Sequence, residues 1–166
     1  MIVVLMGVCG SGKTTIGRAL ATSLGWHFHD ADDFHPPANV AKMAAGIALT
    51  DDDRWPWLDR IVDALAHAGA DGANAVLACS ALRQSYRERL TRAGNLRFVF
   101  LKGDLATITE RVAVRSHKYM PASLLPSQFA TLEEPTDALI IDIRADIDAQ
   151  VAAIRAGLAL NARERA

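Results

Sequence analysis

A glycine-rich segment near the start of the chain has the composition and spacing of a phosphate-binding loop. Residues 7–14 fit the pattern G-x-x-x-x-G-K-[ST], in which glycines let backbone N–H groups turn inward around phosphate. Lys13 would direct a positive charge toward the β- and γ-phosphates, and the Thr14 hydroxyl is a ligand that suits Mg²⁺. We therefore predict that ATP and Mg²⁺ bind here. The residues expected to contact the nucleotide are Gly7, Gly10, Ser11, Gly12, Lys13, Thr14 and Thr15.

The sequence on either side of this loop predicts the strand and the helix that a phosphate site needs. Residues 2–6 are all apolar, which indicates a buried strand, and Ile16, Leu20 and Leu24 recur at helical spacing after the loop. The N-terminus of that helix, with the positive end of its dipole, would point at the same anion. The simpler alternative, a glycine-rich turn after a buried strand, does not require the helix.

Strands and helices alternate along the rest of the chain. Further strands are predicted at residues 26–29, 75–79, 96–101 and 139–141. Helices are predicted at residues 38–45, 83–92, 104–113 and 147–158, and another from a cap at Asp53 or Trp55 to Gly69. Residues 114–126 break the pattern and are expected to form a mobile excursion. This order predicts an α/β fold with a parallel sheet, so that the loops after the strands meet at one cleft.

Length and composition limit the classes of protein to consider. With 166 residues the chain falls in the range of one domain, and we predict a single domain over residues 1–166. A net charge of −1 gives no general attraction to nucleic acid or to a membrane surface. The N-terminal apolar run is too short for a membrane span or a signal segment, and Cys9 and Cys79 lack metal-type spacing. We therefore expect a cytoplasmic protein with no nucleic-acid or membrane partner.

Six further motifs follow the phosphate loop, in the same order as in a known family. They are Asp30-x-Asp32, His35-Pro36-x-x-Asn39-x-x-Lys42-Met43-x-x-Gly46, Leu49-x-Asp51-x-Asp53-Arg54-x-Pro56-Trp57-Leu58, Cys79-Ser80-Ala81-Leu82-Arg83-x-x-Tyr86-Arg87, Leu101-Lys102-Gly103, and Ser127-Gln128-Phe129-x-x-Leu132-Glu133-x-Pro135. Over about residues 2–142 the chain closely resembles the thermoresistant-type gluconokinases.

The resemblance implies an activity and a more detailed fold. The activity would be ATP-dependent phosphorylation of D-gluconate on its 6-hydroxyl. The fold would be that of a P-loop NTPase like the nucleoside monophosphate kinases, a three-layer α/β/α arrangement around a five-stranded parallel sheet. A substrate-binding helical segment is expected at about residues 35–70 and a mobile lid at about residues 114–126. A homodimer is also implied.

The paired carboxylates Asp30 and Asp32 stand where a strand is predicted to end. In related small-molecule kinases the first carboxylate of such a pair helps to hold Mg²⁺ through water, and the second contacts the substrate hydroxyl. Because no acidic residue ends the strand predicted at residues 75–79, Asp30 is expected in the metal role. Asp32 would then orient the 6-hydroxyl and accept its proton late. The alternative is that both carboxylates only brace the turn.

Three arginines are candidates for the carboxylate group of gluconate, since a guanidinium binds a carboxylate with two parallel hydrogen bonds. Arg83 is favoured by its place after a predicted strand, with Arg54 and Arg87 as further candidates. The alternative for Arg83 is pairing with Glu88 or with solvent. His35 would either bond a sugar hydroxyl or brace the turn before Pro36, and the sequence does not separate these roles.

The lid contributes two more arginines by resemblance. Arg111 would stack near the adenine, and Arg115 would bring positive charge to the phosphates as the γ-phosphoryl group transfers. The alternative is that Arg111 and Glu110 form a solvated helix face. His117 and Lys118 receive no assignment.

Two other functions fit part of the pattern. One is a different small-molecule kinase on the same fold, such as one for shikimate, because the Asp30-x-Asp32 pair alone does not exclude it. The other is a regulatory protein that binds ATP without catalysis. The full set of motifs on the substrate side argues against the second.

Overall fold

Five parallel strands form the centre of the molecule. The computed structural model describes residues 1–70, 72–114 and 122–160, apart from the side chains of residues 68–70, 114 and 122. The strands are β1 (Ile2–Met6), β2 (His27–Asp30), β3 (Ala75–Ala78), β4 (Leu96–Lys102) and β5 (Leu139–Asp142). They lie in the order β2-β3-β1-β4-β5, and each neighbouring pair is parallel.

Helices cover both faces of this sheet. They are α1 (Lys13–Leu24), α2 (Pro37–Ala44), α3 (Asp51–Ala70), α4 (Gln84–Leu90), α5 (Leu105–Val114), α6 (Leu125–Thr131) and α7 (Ile147–Gly157). Short 3₁₀ turns lie at Ala31–Phe34, Thr91–Ala93 and Ala122–Leu124. No helix in the described part of the chain is both long and apolar enough to cross a membrane.

The side chains of β1 alternate between two hydrophobic cores. Val3 and Leu5 pack with residues of α1, α5 and α7, whereas Ile2, Val4 and Met6 pack with residues of α3 and α4. This follows from the strand geometry, because successive side chains point to opposite faces of a sheet. The predicted three-layer α/β/α architecture with five parallel strands is confirmed, and the phosphate loop follows β1, whose five residues are all buried.

The start of α3 differs from the sequence-based prediction. We expected α3 to begin at Asp53 or Trp55, but it begins at Asp51, so Pro56 lies inside the helix. Thr50 and Asp53 form a capping box, in which the Thr50 N–H donates to Asp53 Oδ2 (2.9 Å) and the Asp53 N–H donates to Thr50 Oγ1 (3.3 Å). This cap, and not the proline, sets the start of the helix.

Helix α6 begins at Leu125, inside the segment 114–126 that the sequence predicts as a mobile excursion. Pro126 occupies the first turn of α6, where its missing N–H has no helical partner to lose. The C-terminal end of the excursion predicted at residues 114–126 is therefore helical, and its mobility stays a prediction. Helix α4 is also shorter than predicted, because residues 91–93 form a 3₁₀ turn. Residues 115–121 lie outside the described part of the chain.

Candidate active site

The phosphate loop connects β1 to the first turn of α1. Gly10 has a left-handed backbone (φ 82°), which side chains disfavour, and a Cβ atom there would lie 2.5 Å from Val112 Cγ2 in α5. Lys13 Nζ donates to the carbonyl oxygens of Gly7 (3.0 Å) and Val8 (2.9 Å). The ammonium group is therefore held against the loop that is expected to surround phosphate.

The Thr14 hydroxyl and the Asp30 carboxylate lie side by side. Thr14 Oγ1 donates to Asp30 Oδ2 at 2.8 Å, and Asp30 Oδ1 accepts from the backbone N–H of Asp32 at 3.2 Å. Two hard oxygen donors thus line the same cavity, which suits Mg²⁺. Among the described residues, no group of three or more His, Cys, Asp or Glu side chains could hold a metal ion. Phosphate and water would have to complete the coordination.

A cavity of about 400 Å³ lies at the carboxyl ends of β1, β2 and β3. Its lining includes ten of the residues predicted for the site, namely Gly10, Gly12, Lys13, Thr14, Thr15, Asp30, Asp32, His35, Arg54 and Arg111. Gly7 and Ser11 are buried within the loop and do not line the cavity. Arg83 lines an adjoining cavity, which shares Arg54 and Gln128 with the first. The structure therefore brings the nucleotide and acceptor candidates together.

Asp32 lies in the 3₁₀ turn after β2, with its side chain 54% exposed. Partial loss of hydration in the cleft raises the pKa of its carboxyl group. The positive charge of Lys13 opposes that rise, and the carboxylates of Asp30 and Asp33 add to it. A raised pKa makes ionised Asp32 a stronger proton acceptor than an isolated aspartate.

His35 is stacked on Trp57, with ring centroids 4.3 Å apart and ring planes 9° from parallel. Its side chain is only 5% exposed, and its Nε2 lies 4.0 Å from Asp32 Oδ1. Burial, together with the nearby charge of Arg54, lowers the pKa of the imidazole from 6.5 to about 4. At neutral pH the ring is therefore uncharged.

Asp53 joins α2 to the start of α3. Its Oδ1 accepts from Lys42 Nζ at 2.6 Å, and its Oδ2 accepts from the N–H and the hydroxyl of Thr50, both at 2.9 Å. Its backbone carbonyl accepts from Asn39 Nδ2 at 2.8 Å. The hydrogen bond from Lys42 is the main reason why the pKa of Asp53 falls to about 2. This network fixes α2, which follows His35 in the chain, against α3, which carries Arg54.

A second cluster surrounds Tyr86 in α4. The Tyr86 hydroxyl donates to Asp51 Oδ1 at 2.5 Å and accepts from Arg54 Nη1 at 2.9 Å. Arg83 Nη1 donates to Asp51 Oδ2 at 2.7 Å. Arg83 is thus paired with a carboxylate, whereas no acidic group of the described residues lies within ion-pair distance of Arg54. The pairing of Arg83 with Asp51 replaces the alternative pairing with Glu88.

Arg87 does not reach the cavity, although the sequence made it a candidate for substrate binding. It is 4% exposed, and its Nη1 donates to the carbonyl oxygens of Ala81 (3.1 Å) and Leu82 (3.3 Å). Its Nη2 donates to Gln84 Oε1 at 2.8 Å. Because Ala81 has a positive φ of 44°, Arg87 braces a strained turn before α4.

Of the two arginines assigned to the lid, the structure describes only Arg111. Arg111 lines the main cavity, and its Nη2 donates to the carbonyl oxygen of Ile143 at 2.6 Å, which ties α5 to the loop after β5. Its predicted stacking on adenine stays a prediction. Arg115, His117 and Lys118 lie outside the described residues.

Gln128 and Tyr86 have no role assigned from the sequence, although both lie within the quoted motifs. Gln128 Oε1 accepts from the backbone N–H of Cys9 at 2.6 Å, so α6 is bonded directly to the phosphate loop. The sequence held one signal for Gln128, which is a polar residue between the apolar Leu125 and Leu132. In the fold its side chain is buried, with 8% exposed. Tyr86 stands three residues after Arg83, which precedes α4 as its N-cap residue.

The chain has clear relatives among known proteins. The family model described as shikimate kinase matches residues 9–140. Over 136 residues the chain is 53% identical to a gluconokinase of Gluconobacter oxydans, an alignment that covers 81% of this chain and 76% of that protein. A sugar kinase from a Janibacter species superposes with a TM-score of 0.90 at 40% identity, covering 96% of this chain and 94% of that one. A gluconokinase from Sinorhizobium meliloti superposes with a TM-score of 0.84 at 43% identity, covering 95% and 90%.

Proposed function

Because this chain belongs to the gluconokinases, within the family that the shikimate kinase model describes, we propose that it phosphorylates D-gluconate on the 6-hydroxyl, with ATP as the donor. The products are 6-phospho-D-gluconate and ADP. One observation carries this proposal: a single cavity is lined by the phosphate loop and also by Asp32, His35 and Arg54. Donor and acceptor groups would meet inside it.

On the nucleotide side, the loop amides and Lys13 bind the phosphates. Phosphoryl transfer needs little covalent chemistry from the protein, so positive charge and positioning supply most of the rate. Thr14, and Asp30 through water, would hold Mg²⁺, which when bound neutralises charge on the phosphates. Arg115 is proposed to add charge as the γ-phosphoryl group transfers, and Arg111 to contact the adenine.

On the acceptor side, Asp32 holds the 6-hydroxyl. The hydroxyl proton points at the carboxylate, so the oxygen lone pair is free to face the γ-phosphorus atom. As the new P–O bond forms, the bond between the γ-phosphorus and the oxygen bridging to the β-phosphate breaks, so that ADP leaves. The O–H bond also breaks, and its proton passes to Asp32. The raised pKa of Asp32 favours this late transfer.

The carboxylate of gluconate is assigned to Arg54, whose guanidinium is oriented by its hydrogen bond to the Tyr86 hydroxyl. Arg54 lines both cavities and has no acidic partner among the described residues, so its charge is available to an incoming anion. Arg83, the residue favoured by the sequence, is neutralised by Asp51. It would serve the substrate only if gluconate displaced that carboxylate.

Three further properties belong to the proposal. Mg²⁺ is the proposed metal, because Thr14 and Asp30 offer oxygen ligands. A homodimer in the cytoplasm is proposed by family resemblance. Light scattering of the purified protein tests the dimer, and an apparent mass near 17.9 kDa, that of one chain, would contradict it.

An ADP-release assay with gluconate, glucose and shikimate tests the reaction. We expect turnover with gluconate and little with the other two, and NMR of the product should place the phosphate on C6. Turnover with shikimate alone would make the protein a different kinase of this fold. Tight ATP binding without turnover on any acceptor would favour the non-catalytic function.

Replacing Asp32 by Asn tests the proposed proton acceptor. Asp32→Asn should lower kcat on the order of 10²-fold with little change in ATP affinity, because only the acceptor loses its orienting carboxylate. Asp33→Asn, a neighbouring exposed carboxylate outside the cavity lining, is the matched control. An effect of Asp32→Asn on thermal stability alone would return Asp32 to a bracing role.

A further inference from the structure

Asn39 is a buried polar residue of α2 that does not line the cavity. It is 4% exposed, and its Nδ2 donates to the backbone carbonyl of Asp53 at 2.8 Å. A carbonyl oxygen only accepts hydrogen bonds, so the side-chain amide must present its NH₂ group at this position. The orientation of the amide is therefore fixed by the backbone of the next helix.

The same nitrogen atom approaches His35. Asn39 Nδ2 lies 3.4 Å from His35 Nδ1, and its second N–H is free to point there. If Nδ1 carried a proton, two donors would face each other, so Nδ1 must be the unprotonated acceptor. A neutral ring in this position carries its proton on Nε2.

The other edge of the ring faces the acceptor side of the cavity. His35 is held in place by its stacking on Trp57, and its Nε2 lies 4.0 Å from Asp32 Oδ1, which is too far for a direct hydrogen bond. A hydroxyl oxygen placed beside this gap would accept from Nε2–H and donate its own proton to Asp32. The charged groups that face the ring are Asp32 and Arg54.

We infer that Asn39 is a positioning residue that fixes His35 as the Nε2–H tautomer, so that His35 donates a hydrogen bond to a hydroxyl of the acceptor beside Asp32. The identity of that acceptor as gluconate rests on the proposed function. The tautomer does not, because it follows from the bonds of Asn39 within the protein. This accounts for the spacing His35-Pro36-x-x-Asn39, which places the amide one helical turn from the ring.

The tautomer is measured directly in the unmodified protein. In protein labelled with ¹⁵N-histidine at pH 7, long-range ¹H–¹⁵N NMR should show His35 protonated on Nε2 and not on Nδ1. The His35→Gln spectrum assigns the signals by subtraction. Protonation on Nδ1, or on both nitrogens, in the wild type would overturn the inference whatever the acceptor proves to be.

Asn39→Asp tests the consequence for the substrate. Its carboxylate accepts from Nδ1–H instead of donating to Nδ1, so the proton should move away from Nε2. We expect kcat/KM for gluconate to fall about 10-fold, as for the loss of one hydrogen bond in a cleft, with the KM for ATP unchanged. Asn74→Asp is the matched control, since the Asn74 side chain accepts from the N-terminal amino group and does not line the cavity.

A second background separates positioning from a general structural effect. In His35→Gln the glutamine amide supplies a donor near the place of Nε2, and this donor does not depend on a tautomer. The fall in kcat/KM for gluconate that Asn39→Asp causes should therefore be at least about 3-fold smaller in the His35→Gln background than in the wild type. An equal loss in both backgrounds would show that Asn39 acts only on the fold. If the wild type released no ADP with gluconate, the proposed function would fail, while the NMR measurement would still decide the tautomer.

Discussion

The two sides of the cavity are built in different ways. The nucleotide side is one continuous loop, residues 7–14, whose donors are backbone N–H groups and one lysine. The acceptor side takes its side chains from the 3₁₀ turn Ala31–Phe34 and from α3, braced by α2 and α4. Its geometry depends on hydrogen bonds between residues far apart in the sequence, such as the bond from Arg54 to Tyr86.

This difference determines how each side should respond to substitution. Glycine conformations fix the backbone of the phosphate loop, so only its charged side chain, that of Lys13, can be replaced without disturbing the backbone. The acceptor side is built from side chains, and residues of the same type have different roles there. Arg54 is without an acidic partner in the described structure, Arg83 is neutralised by Asp51, and Arg87 supports a turn. The predictions below test whether these roles are distinct.

The largest effect is expected on the nucleotide side. Lys13→Ala should lower kcat by about 10²- to 10³-fold, because Lys13 meets charge that grows on the transferring group. Thermal unfolding should show an intact fold. Lys102→Ala removes a lysine that pairs with Glu134 at the surface and should leave kcat nearly unchanged. Normal turnover in folded Lys13→Ala would remove the basis for the nucleotide assignment.

The acceptor side should respond to pH through His35. Its pKa is about 4 in the folded protein and 6.5 when unperturbed, so between these values the unfolded chain binds a proton that the folded chain does not. Stability should therefore rise with pH from about 4 to 6.5 and be lost as pH falls, by at most about 3 kcal/mol. Urea unfolding across this range measures the slope.

His35→Gln is the control for this pH dependence. It removes the titrating group, so its stability should change less between pH 4 and 6.5 than that of the wild type. Asp32 and Arg54, which face the ring, remain in this variant. Equal slopes in the two proteins would mean that His35 is not held neutral by the fold.

Replacing Arg54 and replacing Arg83 should affect the preference for gluconate over glucose unequally. Arg54→Ala should weaken kcat/KM for gluconate at least tens-fold, since it removes a charged partner in a cleft, and should narrow the preference for gluconate over glucose. Arg83→Ala should have a smaller effect, because Asp51 already neutralises its charge. If Arg83→Ala narrows the preference more than Arg54→Ala does, the carboxylate site belongs to Arg83.

The smallest effect on activity is expected for Arg87. Arg87→Met should lower the free energy of unfolding by about 1–3 kcal/mol, because the buried carbonyl oxygens of Ala81 and Leu82 lose their partner. The value of kcat/KM for gluconate should stay within about 2-fold of the wild type. Arg89→Met, on the same helix but in a surface pair with Asp59, should destabilise less. A selective loss of gluconate affinity in Arg87→Met would restore Arg87 to the substrate site.

The sequence was sufficient for the nucleotide side, because that side is local. The spacing of residues 7–14 predicts the loop, and the apolar patterns around it predict β1 and α1, which the structure confirms. The five parallel strands follow from the alternation of patterns in the same way. Local spacing predicts these features because they depend on backbone geometry and on hydrophobic periodicity.

The acceptor side could be predicted only as a set of candidates. Arg54, Arg83 and Arg87 have the same chemistry in the sequence, and their roles separate only when Asp51 and Ala81 are seen beside them. The start of α3 was predicted wrongly for a related reason. Whether Pro56 or Pro126 breaks a helix depends on where the helix starts, and for α3 that start is set by the bonds between Thr50 and Asp53.

The hydrogen-bond network of Asp53 has a consequence for changing the acceptor of this enzyme. Lys42, Thr50 and Asn39 all bond to this one residue, so α2, which follows His35, is locked to α3, which carries Arg54. Single substitutions meant to admit a new sugar acid would disturb partners along the whole segment. Redesign of the acceptor side should therefore succeed more readily when residues 30–54 are exchanged between relatives as one block, with the phosphate loop left in place.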